Sequence, residues 1–137
     1  MPREMDELQT VWLGLKAHIE QLAAERQQYL EVFEQAPDAY LVTNAEGTIV
    51  EVNGAAVDLL QRRKAQVRGR PLPVFIAPER RPGFRSRLAR LAAGDRAADR
   101  RWRSLLDSRG VRIEVSVTAR VIQPPGGGIC WLLQPAA

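Results

Sequence analysis

The sequence predicts an α+β protein: one long helix followed by a domain in which strands and short helices alternate. Three observations carry this. Between Glu4 and Glu34 large apolar residues recur at alternating steps of three and four, with no proline in the run. Between Val111 and Val121 apolar and polar residues alternate strictly, the period of a strand with one buried face. At Asn53 the hydrophobic rhythm changes from that of a strand to that of a helix within one residue.

The long helix comes first. Its seam is Met5, Leu8, Trp12, Leu15, Ile19, Leu22, Tyr29 and Phe33, with Arg26 standing where an apolar residue is due. About thirty residues make a rod of roughly 45 Å, and an apolar stripe of that length calls for a cover. A repeat of 3.5 favours a second copy over the helix's own domain, because a helix laid on a sheet shows a wider face of period 3.6. Val11, Ala23 and Leu30 widen the stripe, so part of the helix can serve both ways. Leu8, Trp12, Leu15, Ile19 and Leu22 are the candidate dimer interface. Arg26 either sets register within the seam or snorkels to its edge. Pro37 disfavours helical geometry at Ala36, so residues 1–36 are read as the helix and 37–137 as the domain.

The domain opens with a strand from Ala39 to Asn44, a turn at Asn44-Ala-Glu-Gly47 and a second strand from Thr48 to Val52, which together read as a hairpin. Asn53 stands where its side chain can accept from the free amides of a following helix, and Gly54-Ala-Ala lets that helix start close to the strand. Arg62 to Arg70 is a basic connection, helical or irregular. Prolines at 71, 73 and 78 punctuate the stretch after it. Phe84, Leu88 and Leu91 then mark a longer helix that stops at Gly94. Three strands complete the chain: Arg100 to Leu106, a turn at Asp107-Ser-Arg-Gly110, the alternating run from Val111, a flexible connection over Gln123–Gly128, and Ile129 to Leu133.

Composition limits what such a chain can be. Its 137 residues suffice for one domain with an appendage, and 45% hydrophobic with 26% charged residues is ordinary for a soluble globular protein. Cys130 is the single cysteine, so neither an intrachain disulfide nor a thiolate metal cluster can form. The opening MPREMDELQTVWLGLK has no uninterrupted apolar run, which argues against a signal peptide or membrane span and for a cytoplasmic protein. The net charge of +4 is unevenly spread. Residues 1–60 hold three basic and eleven acidic side chains, and residues 61–103 fourteen basic and three acidic. That split attracts acidic partners, or it simply solvates arginine-coated helices.

With these pieces in order, the sequence resembles a PAS domain over roughly Tyr29 to Gln134. The likeness rests on Ala36-Pro-Asp-Ala39 before the first strand, Glu46-Gly-Thr-Ile-Val-Glu-Val-Asn-Gly-Ala-Ala56, and Gly69-Arg-Pro-Leu72 leading into Phe75-Ile-Ala-Pro-Glu79. Asp107-Ser-Arg-Gly110 before a long strand and a glycine-rich loop before the last one complete it. No piece is specific alone; their order and spacing are. The resemblance implies a five-stranded antiparallel sheet with short helices on one face and a small apolar pocket between the layers. It places Leu41, Ile49, Leu60, Phe75, Leu88, Val115 and Trp131 around that pocket, residues that read equally as a filled core.

PAS relatives bind haem, flavins or small metabolites, or bind nothing and dimerise. Haem in them usually needs a histidine on the longer helix, and the single histidine here, His18, lies in the N-terminal rod. Light-sensing flavin relatives carry an Asn-Cys-Arg-Phe-Leu-Gln run that this chain lacks, and Cys130 in the last strand reads as a small packing residue. Both haem and a covalent flavin adduct are therefore disfavoured, and the cofactor stays unassigned. Flavin held without an adduct, beside Trp102 and Trp131, remains open against their packing as core. One histidine, one thiol and no paired carboxylates leave no general acid–base set. The glycines at 126–128 precede a strand and not a helix, so they cradle no phosphate, and no metal site is expected. The chain reads as a non-enzymatic sensory or protein-interaction module whose output comes from a signalling partner. The alternatives are nucleic-acid binding by the basic segment, which has no recognition motif beside it, and a scaffold assembled by charge.

Overall fold

The computed structural model describes residues 2–95, 100–122 and 128–136, with side chains from Met5 onward. The connection expected over Gln123–Gly128 therefore lies, except for Gly128, outside the described residues. The chain divides into two compact units, one ending at Phe33 and the other beginning at Glu34.

Helix α1 runs Pro2–Gln35 and ends just before Pro37. At 1.5 Å per residue it is roughly 50 Å long. Bonds four residues apart, from Gln21 to Glu25 and from Gln27 to Glu31, brace its flank. The Lys16 ammonium sits 5.3 Å from the Trp12 ring centroid. The five seam residues Leu8, Trp12, Leu15, Ile19 and Leu22 are all exposed, between 52% and 67%.

The second unit contains β1 Ala39–Thr43, β2 Ile49–Val52, α2 Gly54–Leu60, α3 Lys64–Val67, 3-10 turns at Leu72–Phe75 and Pro78–Arg80, α4 Arg81–Ala92, β3 Trp102–Ser108, β4 Val111–Val121 and β5 Ile129–Pro135. All pairings are antiparallel, in the order β2-β1-β5-β4-β3, so the last strand lies at the centre. The five strands and the helices between β2 and β3 agree with the α+β class read from the sequence.

Asn53 explains the joint between strand and helix. Its backbone is extended and its side chain fully buried. Oδ1 accepts from Ala56 N at 3.0 Å, which caps α2, and from Tyr40 N at 3.0 Å, which belongs to β1. Nδ2 donates to Asp38 O at 2.9 Å. One amide thus closes the helix, extends the pairing of β1 and fixes the chain entering the sheet. Gly54 then passes close to the segment before β1, since a Cβ there would meet the Glu34 carbonyl at 3.2 Å.

The β1–β2 turn is held by Asn44, whose Oδ1 accepts from Glu46 N and Thr48 N. Gly47 takes φ +88°, a left-handed conformation open to glycine. The proline-punctuated stretch forms the first 3-10 turn, and Arg81 clamps it: Nε donates to the carbonyls of Pro73 and Ile76, both at 3.0 Å. Its flanks each touch one point of a sheet edge. Gly69 N reaches Ile49 O and Ile49 N reaches Arg70 O along β2, while Ala77 N donates to Leu105 O along β3. Arg112 of β4 grips Glu79 of the second 3-10 turn in a bidentate pair. That hydrogen bond holds the Glu79 carboxyl below its usual range. The pair's contribution is present above the ordinary carboxylate pKa and is lost as pH falls through the lowered one.

The hairpin expected as a four-residue turn is tighter. Asp107 and Ser108 belong to β3, and only Arg109 and Gly110 form the loop. Burial of Ser108, whose hydroxyl donates to Leu60 O, draws it into the strand. In β4 the alternation fixes the inner face, with Val115, Val117 and Ala119 buried and Ile113 half-buried. Val111 and Val121 stay exposed.

Asn53→Ala removes three bonds and strands buried backbone groups, so it should cost about 3 kcal/mol in urea unfolding. Asn53→Ser, which keeps a cap acceptor for α2 alone, should lose less. A loss under about 1 kcal/mol for Asn53→Ala would refute the role given to this residue.

Candidate ligand-binding core

The inner face of the sheet and the helices over it enclose one hydrophobic cluster. β1 supplies Ala39 and Leu41, β4 supplies Val115, Val117 and Ala119, and β5 supplies Ile129, Trp131 and Leu133. Ala56 and Leu60 of α2, Val67 of α3, Phe75 of the first 3-10 turn, and Phe84, Leu88 and Leu91 of α4 pack on them. All seven residues read from the sequence as lining a pocket, Leu41, Ile49, Leu60, Phe75, Leu88, Val115 and Trp131, fall in this cluster and are buried. Leu72, Ile76, Leu106 and Val117 are equally buried and were not singled out. Their neighbours in sequence gave the signal: Leu72 and Ile76 flank Phe75, and Val117 shares the alternation of Val115.

An aromatic group dominates the end of this cluster under α4. Phe84 stacks on Trp131 with centroids 5.2 Å apart, and Trp102 meets Trp131 edge-on at 6.2 Å. Arg87 lies over the Trp102 ring at 4.3 Å and donates to Arg100 O. Such contacts hold the rings beyond simple burial. Both tryptophans therefore serve the packing of α4 on β3 and β5.

Polar groups facing the core satisfy one another. Trp131 Nε1 donates to Thr43 Oγ1 at 2.9 Å, and that hydroxyl donates to Asn44 O. Ser108 serves Leu60 O, and Asn53 makes the three bonds described above. Among the described residues no buried side-chain nitrogen or oxygen lacks a partner. The inward surface of the core is therefore aliphatic and aromatic.

Cys130 alternates with Ile129 and Trp131 along β5, so it lies on the opposite face of the sheet, paired with Val42 and Arg120. Burial pushes its thiol pKa up, which keeps it protonated and a poor nucleophile near neutral pH. His18 lies in α1 and not in the domain. Among the described residues no three of His, Cys, Asp and Glu converge on a metal position, and no helix is long and apolar enough to cross a membrane. Two of the open concavities among the described residues lie on the second unit. One of about 600 Å³ is lined chiefly by Arg101, Trp102, Arg103, Ser116 and Gln134. The other, of about 660 Å³, lies where α2, α3 and the β3–β4 hairpin meet.

The fold recurs in solved proteins. The PAS domain of an HTR-like protein from Haloarcula marismortui is similar with a TM-score of 0.72 at 22% identity, over 88% of this chain and 99% of that one. A domain of a sensory box sensor histidine kinase/response regulator from Geobacter sulfurreducens gives 0.68 at 22% identity, over 82% and 96%. The PAS domain of the quorum-sensing receptor RpfR from Cronobacter turicensis, in complex with BDSF, gives 0.65 at 10% identity, over 75% and 97%. No curated protein sequence matches the chain. The family model described as PAS fold matches residues 27–136, which span the whole sheet and its helices, and the chain accordingly belongs to the PAS family.

Proposed function

We propose that this chain is a cytoplasmic sensory module in signal transduction. It takes a small, largely apolar molecule between sheet and helices and self-associates through α1. The observation that carries the ligand half is the chemistry of the core: aromatic and aliphatic side chains under α4, with every buried polar side-chain atom among the described residues already bonded. Such a site selects for shape and apolar surface. The occupied RpfR domain, and a PAS domain of a transcriptional regulator from Burkholderia thailandensis in complex with ethanol, support it by analogy of fold. PAS domains are generally sensory modules and not enzymes, so the output belongs to a partner protein or another domain.

Self-association is supported by the exposed seam of α1, whose 3.5-residue repeat matches a left-handed pair of helices. Occupancy of the core would shift α4 and the strands beneath it, and two paired helices would convey that strain.

Two measurements check this reading. Native mass spectrometry of the protein from its own host should find two chains with a small molecule retained. If none is retained, and short aliphatic acids and alcohols leave the melting temperature unmoved, the ligand half fails. Replacing Leu15 and Ile19 together by Asp should weaken the dimer by about 100-fold or more in sedimentation equilibrium, with the domain's circular dichroism unchanged. An unaltered association constant would rule out the α1 seam.

A further inference from the structure

We propose that the concavity between the end of α2, α3 and the β3–β4 hairpin binds a small phosphate-bearing anion, independently of the core. It is lined by Asp58, Gln61, Arg62, Arg63, Gln66 and Arg109. Arg68, Arg80, Arg90 and Arg112, and Lys64, each face a carboxylate partner. Arg62, Arg63 and Arg109 face none among the described residues. Asp58 is the single acid on the rim, so positive charge is concentrated in one hollow.

The donors are oriented. Arg62 Nε donates to Ser108 Oγ at 3.2 Å, and Ser108 is fixed in turn on Leu60 O. The guanidinium is thereby held by one nitrogen, with its two terminal nitrogens left to fork onto oxyanion oxygens. Gln66 Oε1 accepts from Arg63 N at 3.0 Å, which leaves the amide NH2 as a donor.

Backbone conformation supplies an independent argument. Among the described residues only two non-glycines adopt positive φ, Gln61 at 52° and Arg109 at 53°, and both line this hollow. Gln61 ends α2 in a place that favours glycine or asparagine. Arg109 precedes Gly110 in a two-residue hairpin loop whose first position favours Asn or Asp. Each position has a better-suited short residue, and each instead carries a long hydrogen-bond donor at the same rim. Local strain retained at two converging positions marks a site with a use beyond the turn. Forked donors gathered around one open hollow suit a compact phosphate group, whereas a nucleic-acid backbone needs cations spread along a track.

The test is calorimetric titration of the full chain with inorganic pyrophosphate at physiological salt, against sodium sulfate of matched ionic strength. The expected result is saturable binding, one per chain, that sulfate does not reproduce. Arg63→Gln and Arg109→Asn should each weaken it fivefold or more, and Arg85→Gln, on the outer face of α4, should leave it unchanged. Arg109→Asn should also raise the melting temperature by about 3 °C, because asparagine suits the loop. The proposal is overturned by absence of saturation, by equal loss in Arg85→Gln, or by undiminished affinity in Arg109→Asn. It is equally overturned if random-sequence duplex DNA binds more tightly than pyrophosphate.

Discussion

The three hydrogen bonds of the Asn53 carboxamide tie three parts of the domain to one buried side chain. A helix start, an edge of the pairing between β1 and its neighbour, and the segment leading out of α1 converge on a single side chain with no exposure. Buried in this way, an amide gains little from water in the unfolded state that it does not recover inside, and leaving any of its partners unmatched is costly. The position of α2 over the sheet follows from it. So does the burial of Ala56 and Leu60 in the hydrophobic cluster.

Local signals made much of this legible. Asn53 was readable as a cap because Asn followed by Gly-Ala-Ala at a change of period has few other meanings. Its bonds to Tyr40 and Asp38 were not, since partners 13 and 15 residues away leave no trace in a spacing pattern. Similarly, alternation in β4 gave the inner face, but it carries no information on how far a helical layer extends. Val111 and Val121 therefore follow the pattern without being covered. The 3-10 turn at Leu72–Phe75 is not legible locally, because prolines spell interruption, while the guanidinium that stabilises the turn comes from Arg81, after the turn itself.

The candidate site was legible in membership but not in geometry. All seven residues chosen for the ligand region are buried in one cluster, because each is a large apolar residue on the inward phase of its element. That Trp102 meets Trp131 edge-on depends on the registers of β3 with β4 and of β4 with β5, which no short stretch of chain encodes. Charge reads differently again. The basic excess of residues 61–103 is visible in composition, yet its weight depends on which arginines find carboxylates, and Glu34, Glu51 and Glu114, all outside that segment, neutralise part of it.

Placing the last strand at the middle of the sheet has a consequence for biosynthesis. β1 and β4 both take β5 as their neighbour, so the early hairpin and the late hairpin have no shared ladder until residues 129–135 have left the ribosome. Until then each carries an unsatisfied rim, the kind of surface on which nascent chains stick to one another. Closure joins residues about ninety positions apart, a long-range event that slows folding. A strand order of this kind lengthens the interval in which two open ladders coexist, and it ends only when β5 joins them.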